Sequence, residues 1–216
     1  MKIATGGGKI KIGVAGMGNL NIGNYFIDPR DGTRYKTVKI GNQIWMAENL
    51  KYLPSVVGPG TGSETTSYYY VYGYNGTDVL AAKATDNYKT YGVLYNWEAA
   101  KASCPKGWHL PSDTEYKILE MYLGMTQAQA DATGWRGTDQ GTKLKENGSS
   151  GFNALMSGYR YTDGSFRSMG SGTYFWSSSA SSSSNAWSRA LDTSYSTVSR
   201  YDYNKALGFS VRCLRD

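Results

Sequence analysis

Few residues in this chain are equipped for covalent chemistry. His109 is the single histidine, and Cys104 and Cys213 are the two cysteines. A zinc site gathers several His, Cys or carboxylate ligands. The acids nearest His109, Asp113 and Glu115, belong to the start of a helix. His109 is therefore expected to have a structural role, and no metal is expected. A Ser-His-Asp mechanism would have only this one base, and the strained Gly-x-Ser-x-Gly turn that exposes a nucleophile is missing. The acids are scattered, with no pair spaced for acid–base work. The two cysteines have two readings. They either form a disulfide closing a long loop, worth ~4–5 kcal/mol in the chain-entropy model, or are buried reduced thiols, according to compartment. The reading is a non-enzyme with no cofactor.

A second set of residues suits recognition. Ser182, Ser184, Asn185, Ser188, Ala190, Asp192, Ser194, Tyr195, Ser196, Ser199, Tyr201, Asp202, Tyr203, Asn204 and Leu207 crowd one stretch near the C-terminus. Tyrosine offers a large, stiff, amphipathic contact area, while Ser and Asn offer adaptable hydrogen bonds, the mixture that antibody paratopes use. These residues interleave with Phe175, Trp176, Trp187, Leu191, Val198, Phe209 and Val211. A solvated linker would not keep apolar residues in phase in this way. Ser188, Ala190 and Asp192 alternate with Trp187, Arg189 and Leu191, so one set is expected on an open face and the other in the core.

The elements that must hold this surface are partly legible. With 27 Gly, 19 Tyr and 6 Trp in 216 residues, the composition fits β or loop-rich α+β structure better than a helical bundle. Asp31-Gly32 and Gly41-Asn42 bracket residues 33–40 and 43–47 as hairpin strands. Residues 54–90 read as a long irregular insertion carrying Tyr68, Tyr69, Tyr70, Tyr72 and Tyr74, placed either on the domain or on the binding face. Residues 97–103 form a short helix. Ser112 with Glu115 makes a capping box for a second helix, in which Tyr116, Leu119 and Leu123 recur at helical spacing before Gly124. Residues 126–132 add at most a turn or two. Past residue 151 the pattern is β, with Asp163-Gly164 as a turn and residues 177–184 and 201–204 as loops. Phe209, Val211 and Cys213 are expected on one face of a last strand, and Ser210, Arg212 and Leu214 on the other.

Bulk properties exclude other classes. A net charge of +6 spread along the chain gives no stripe to track a phosphate backbone, so nucleic acid is not an expected partner. No apolar run reaches the length of a membrane span. The first residues lack a signal-peptide core, so any secretion signal is absent or removed. Residues 1–27 read as a Gly-rich β arm that pairs with the domain or with a second copy in a homo-oligomer. Within it, Gly13, Gly16 and Gly18 resemble a dinucleotide fingerprint, but no helix pattern follows, so a β arm is the better reading.

Several motifs in fixed order carry a family resemblance. They are Asp31-Gly32-Thr33-Arg34-Tyr35, Trp45-Met46-Ala47-Glu48-Asn49-Leu50, the run from Tyr91 to Trp97, the run from Cys104 to Asp113, Phe175-Trp176-Ser177-Ser178, and Gly208 to Cys213. Residues 28–216 thus resemble the Fibrobacter succinogenes major paralogous domain. The resemblance implies an α+β, C-type lectin-like fold with two helices, antiparallel sheets and long irregular loops. It also implies a Cys104–Cys213 contact, with Gly107 and Leu110 at the crossing between the helices. The triplets with which sugar-binding lectins hold calcium do not occur, so calcium-dependent sugar binding is not implied. The tail further resembles the variable region of proteins diversified by retroelements, where adenine-directed mutation of asparagine codons varies scattered sites. That resemblance makes the fifteen residues above a ligand site for a macromolecule, a protein above all. Trp187, Arg189, Leu191, Val198, Arg200, Lys205 and Gly208 become fixed scaffold. It places the chain at a cell surface, in secretions or on a virion. An undiversified adhesin of the same family is the alternative.

Overall fold

The structure, a computed structural model, describes residues 25–216. The expected arm at 1–27 therefore lies outside the described residues except for its last three. Those three form β1 (Tyr25–Ile27), paired antiparallel with β2 (Arg34–Ile40), so they belong to the domain. A two-residue turn leads from β2 to β3 (Gln43–Met46), with Gly41 at φ +61°, a conformation glycine adopts without strain. Both hairpins fall where the Asp-Gly and Gly-Asn signals put them.

The insertion is more regular than its composition implies. It holds β4 (Tyr69–Tyr70), α1 (Val79–Ala84) and α2 (Asp86–Tyr91). Asp78 caps α1 and Thr85 caps α2 through side-chain bonds to the first free N–H groups. Helices this short give almost no periodic signal, and only the caps mark them. Tyr70 is fully buried, so part of the tyrosine run packs on the domain.

Next come β5 (Leu94–Tyr95), α3 (Trp97–Ser103), β6 (Trp108–His109) and α4 (Asp113–Tyr122). The Ser112–Glu115 capping box is present in both directions, and Tyr116 and Leu119 are the buried apolar residues of α4. The chain continues through α5 (Gln127–Asp131), β7 (Gly134–Arg136) and α6 (Gln140–Leu144). The expectation of two helices is thus corrected: six are described, four of them of five or six residues.

The last third is β8 (Ser157–Arg160), β9 (Phe166–Met169), β10 (Gly172–Ala180), β11 (Asn185–Asp192), β12 (Val198–Asn204) and β13 (Leu214–Arg215). Of two expected loops, 201–204 proves to be strand and 177–184 does so over its first half, with 181–184 remaining a loop. Residues 177–180 extend β10 past an irregularity in register, and residues 201–204 complete β12, because each finds a ladder partner on β11. The expected two faces of the last segment hold, with Phe209, Val211 and Cys213 in the core of Trp176 and with Arg212 and Leu214 turned to that of Phe175. Both faces are buried, however, and apart from isolated bridges at residues 208–210 only Leu214 and Arg215 form regular strand.

The result is α+β. A five-stranded sheet runs β1-β2-β3-β13-β6, a six-stranded sheet runs β7-β12-β11-β10-β8-β9, and β4 pairs with β5. Neighbouring strands pair antiparallel except β8 with β10, which is parallel. Successive residues on β10 enter different cores: Trp176 packs with Phe209 and Ala186, and Phe175 packs with Tyr116, Leu191 and Val198. The central strands are therefore covered on both sides. Cys104, at the C-cap of α3, forms a disulfide with Cys213, 109 positions away, tying that helix to the chain's end.

The second core contains charge. Arg189 reaches Asp113 at 2.8 Å and Glu120 at 2.6 Å, Arg200 reaches Asp113 at 2.8 Å, and Arg136 pairs with Glu120. Burial opposes the Asp113 carboxylate, but bonds from Arg200 and the charge of Arg189 outweigh it and hold its pKa well below the usual range. These pairs fasten β7, β11 and β12 to α4.

Candidate ligand-binding site

The β11–β12 hairpin sets the geometry. Asn185 opens β11 and lies opposite Asn204, which closes β12. At this end the chain leaves both strands, and the side chains of Asn185, Asp202, Tyr203 and Asn204 frame a pocket of about 640 Å³. Ala206 and Leu207 also line it. Tyr161 and Thr162, from the turn between β8 and β9, line another side, and Glu64 comes in from the insertion.

The rim is knit by its own polar groups. Asp202 Oδ2 accepts from Ser181 Oγ at 2.8 Å and from Asn185 Nδ2 at 3.2 Å. Asn204 Nδ2 donates to Glu64 Oε1 at 2.6 Å, and Asn204 Oδ1 accepts from the Ala206 N–H at 3.0 Å. Lys205 is turned away to the carbonyls of Ser182 and Ser183, with its ammonium 4.6 Å from the Trp97 ring centre. Tyr203 packs edge-on against Tyr174 and Phe209, and burial raises its pKa.

Arg160 explains why the insertion has one position. It is fully buried, and its guanidinium donates to the carbonyls of Pro59, Thr61 and Ala206. Three carbonyls and the ring of Tyr70 use the donors and the face of a planar fork. One side chain thus joins the insertion to the segment that follows β12.

The structure divides the fifteen expected site residues. Asn185, Asp202, Tyr203, Asn204 and Leu207 line the pocket, with Ser182 and Ser184 on the adjoining loop. Tyr201 projects from β12, half exposed, 5.6 Å from the ring of Tyr203. Asp192, Ser194, Tyr195 and Ser196 sit at the opposite end of the hairpin, about 20 Å away along a seven-residue strand. There Tyr195 stacks on Trp135 at 4.3 Å, Lys145 holds the Tyr195 carbonyl, and Ser196 bonds the Thr138 carbonyl.

Four of the expected residues are not displayed. Ser188 is 1% exposed and Ala190 3%, and Ser199 and Leu207 are also buried. The expected open face does not exist there, because Ser188 lies opposite Trp176 and Ala190 opposite Tyr174 on β10, and the large rings cover their small neighbours. Ser199 is enclosed between Ala190 and Trp135, its partners on either side. Leu207 touches the pocket only as buried floor.

Glu64, Tyr161, Thr162 and Ala206 are the lining residues that sequence reading missed. The Asp163-Gly164 turn pointed to the neighbourhood of Tyr161, but nothing local ties Glu64 to Asn204, 140 positions on.

His109 lies elsewhere, clamped between Asp216 at 2.6 Å and Glu115 at 2.9 Å. Burial pulls its pKa down, but the two carboxylates outweigh it and the net shift is upward. Among the described residues no three His, Cys, Asp or Glu side chains gather as a metal site would. Among them too, no helix is long and apolar enough to cross a membrane.

The family model of the Fibrobacter succinogenes major domain matches residues 38–215. The chain belongs to this family. The match runs from within β2 to β13 and takes in the disulfide and every residue lining the pocket. Comparison with curated proteins gave no match, nor did comparison with solved structures.

Proposed function

We propose that this Fibrobacter succinogenes major domain is a non-enzymatic ligand-binding protein that presents the pocket end of the β11–β12 hairpin to a macromolecular ligand, a protein in first place. The observation that carries the reading is the separation of roles along the hairpin. Arg189, Leu191, Val198 and Arg200 are fastened in the core, while among the described residues the side chains of Asn185, Asp202 and Asn204 bond to one another, to Ser181, to Glu64 and to the Ala206 N–H. Such a rim can change without unmaking the domain. A pocket with a few convergent polar groups is also the usual form of a recognition site.

The scaffold reads as a C-type lectin-like fold. In support, the disulfide joins the end of α3 to the residue just before the last strand, β13 closes a sheet with β3 and β6, and the separate sheet of β10, β11 and β12 bears the site. A disulfide persists in oxidising surroundings, which fits a cell surface, a secretion or a virion. Both cysteines are used in it, leaving no thiol for catalysis.

The finer reading is the variable protein of a diversity-generating retroelement. The test is the DNA beside the gene's 3′ end. A partial copy of codons 175–212 that differs only at adenines of the copy, with a reverse transcriptase gene nearby, supports it. Lack of both leaves an undiversified adhesin. The burial of Ser188, Ala190 and Ser199 favours that second reading, because random replacement there would meet Trp176, Tyr174 and Trp135.

A further inference from the structure

We infer that the pocket accepts a basic side chain, arginine above all, from the protein ligand; this deepens the binding reading and rests on it. The charge at the pocket is of one sign. Its two ionisable carboxyl residues are Glu64 and Asp202, and neither forms an ion pair among the described residues. This occurs in a chain with a net charge of +6, whose acids elsewhere pair readily with lysine or arginine. The nearby cations are turned to other work. Lys205 is held by two serine carbonyls, Arg160 is buried with four bonds to three carbonyls, and Arg167 is paired with Asp163.

Oxygen bookkeeping gives the geometry. Asn204 occupies Glu64 Oε1, and Ser181 with Asn185 occupies Asp202 Oδ2. Among the described residues Glu64 Oε2 and Asp202 Oδ1 are left without a protein donor. The amide donors fix each carboxylate and leave it one acceptor for an incoming N–H group. A guanidinium, with five donors in a rigid plane, suits two such acceptors and can also lie against an aromatic wall. Tyr161 and Tyr203 supply that wall, and Tyr161 already bears the guanidinium of Arg167 at 4.0 Å. A hard divalent cation fits less well, since it would need more oxygens than two carboxylates whose other oxygens are already taken by N–H and O–H donors.

The experiment is a titration of the ¹⁵N-labelled full chain with N-acetyl-arginine methylamide and, separately, with its neutral isostere N-acetyl-citrulline methylamide. The side-chain amides of Asn185 and Asn204 report on the pocket. The expected result is movement of both amides by the arginine probe with an affinity about ten-fold above that of citrulline, the scale of one hydrogen bond to a charged group. Glu64→Gln and Asp202→Asn keep the shape and the oxygen that already accepts from the protein, but remove the charge and replace the second acceptor by a donating NH2 group. Each should retain a folded spectrum and lose most of that preference, and added salt should weaken it. Equal binding of the two probes at these amides would overturn the cation inference and leave the pocket as a binding site. Arginine shifts that neither variant reduces would overturn it too. No movement of either amide by either probe would overturn both the inference and the binding reading.

Discussion

The β11–β12 hairpin uses the same polar residue kinds in two places with opposite results. Facing α4, three arginines and two carboxylates are dry and every one of them is paired, Arg136, Arg189 and Arg200 on Asp113 and Glu120. At the pocket, Glu64 and Asp202 form no ion pair among the described residues and line an open cavity. A buried charge left without its partner costs several kcal/mol, so the first set is bound to the fold. A wet carboxylate bonded to amides carries little such penalty, so the second set is free to serve recognition. Charge alone therefore does not mark a site; the balance of sign and the access of water do.

The largest break in this contrast is expected on the dry side. Arg189→Ala would remove the cation that Asp113 and Glu120 share, leaving each a single arginine, Arg200 and Arg136, and is expected to lower stability by about 3 kcal/mol in chemical denaturation. A loss below 1 kcal/mol would show that the network is not what fastens the hairpin to α4. Replacing both cysteines by alanine removes a closure of 109 positions and is expected to cost about 2–5 kcal/mol, read in the same way.

Acid should act on the dry side as well. The Asp113 carboxyl has a lowered folded pKa, so its contribution is present above its ordinary pKa near 4 and lost as the pH falls further. His109 has the opposite sign: its raised pKa gives stability present below about 6.5 and lost as the pH climbs through the folded value. Stability measured against pH should fall at the acid end in the parent chain, and His109→Gln should flatten the weaker decline above neutrality. An unchanged slope above neutrality in His109→Gln would remove the Asp216–His109–Glu115 clamp from the account.

The smallest effect is expected at the rim. Tyr201→Ala should change stability by about 0.5 kcal/mol or less, since its ring is half exposed. Tyr203→Ala should cost more, because that ring packs on Tyr174 and Phe209. Equal costs for the two would place Tyr201 in the core.

Sequence carried the local features well. Asp-Gly and Gly-Asn turns, the Ser112–Glu115 box and the order of family motifs all mark short-range chemistry. It failed where distant segments decide the outcome. Alternation put Ser188 and Ala190 on an open face, and it was right that they oppose Arg189 and Leu191. Alternation cannot tell that the core around Trp176 and Phe209 covers that face, since Trp176 and Tyr174 come from another strand. Glu64 reaches the pocket through Arg160, whose carbonyl partners carry no side-chain signature. The short helices of the insertion were missed because five or six residues show no helical period.

Two displayed libraries would test the separation of rim from scaffold most directly. One would randomise Ser182, Ser184, Asn185, Tyr201, Asp202 and Asn204, the other Ser188, Ala190 and Ser199, with protease resistance reporting the folded fraction. Most members of the first should remain resistant and most of the second should be lost. Equal survival, or loss of the first library, would contradict a recognition surface carried on an independent fold.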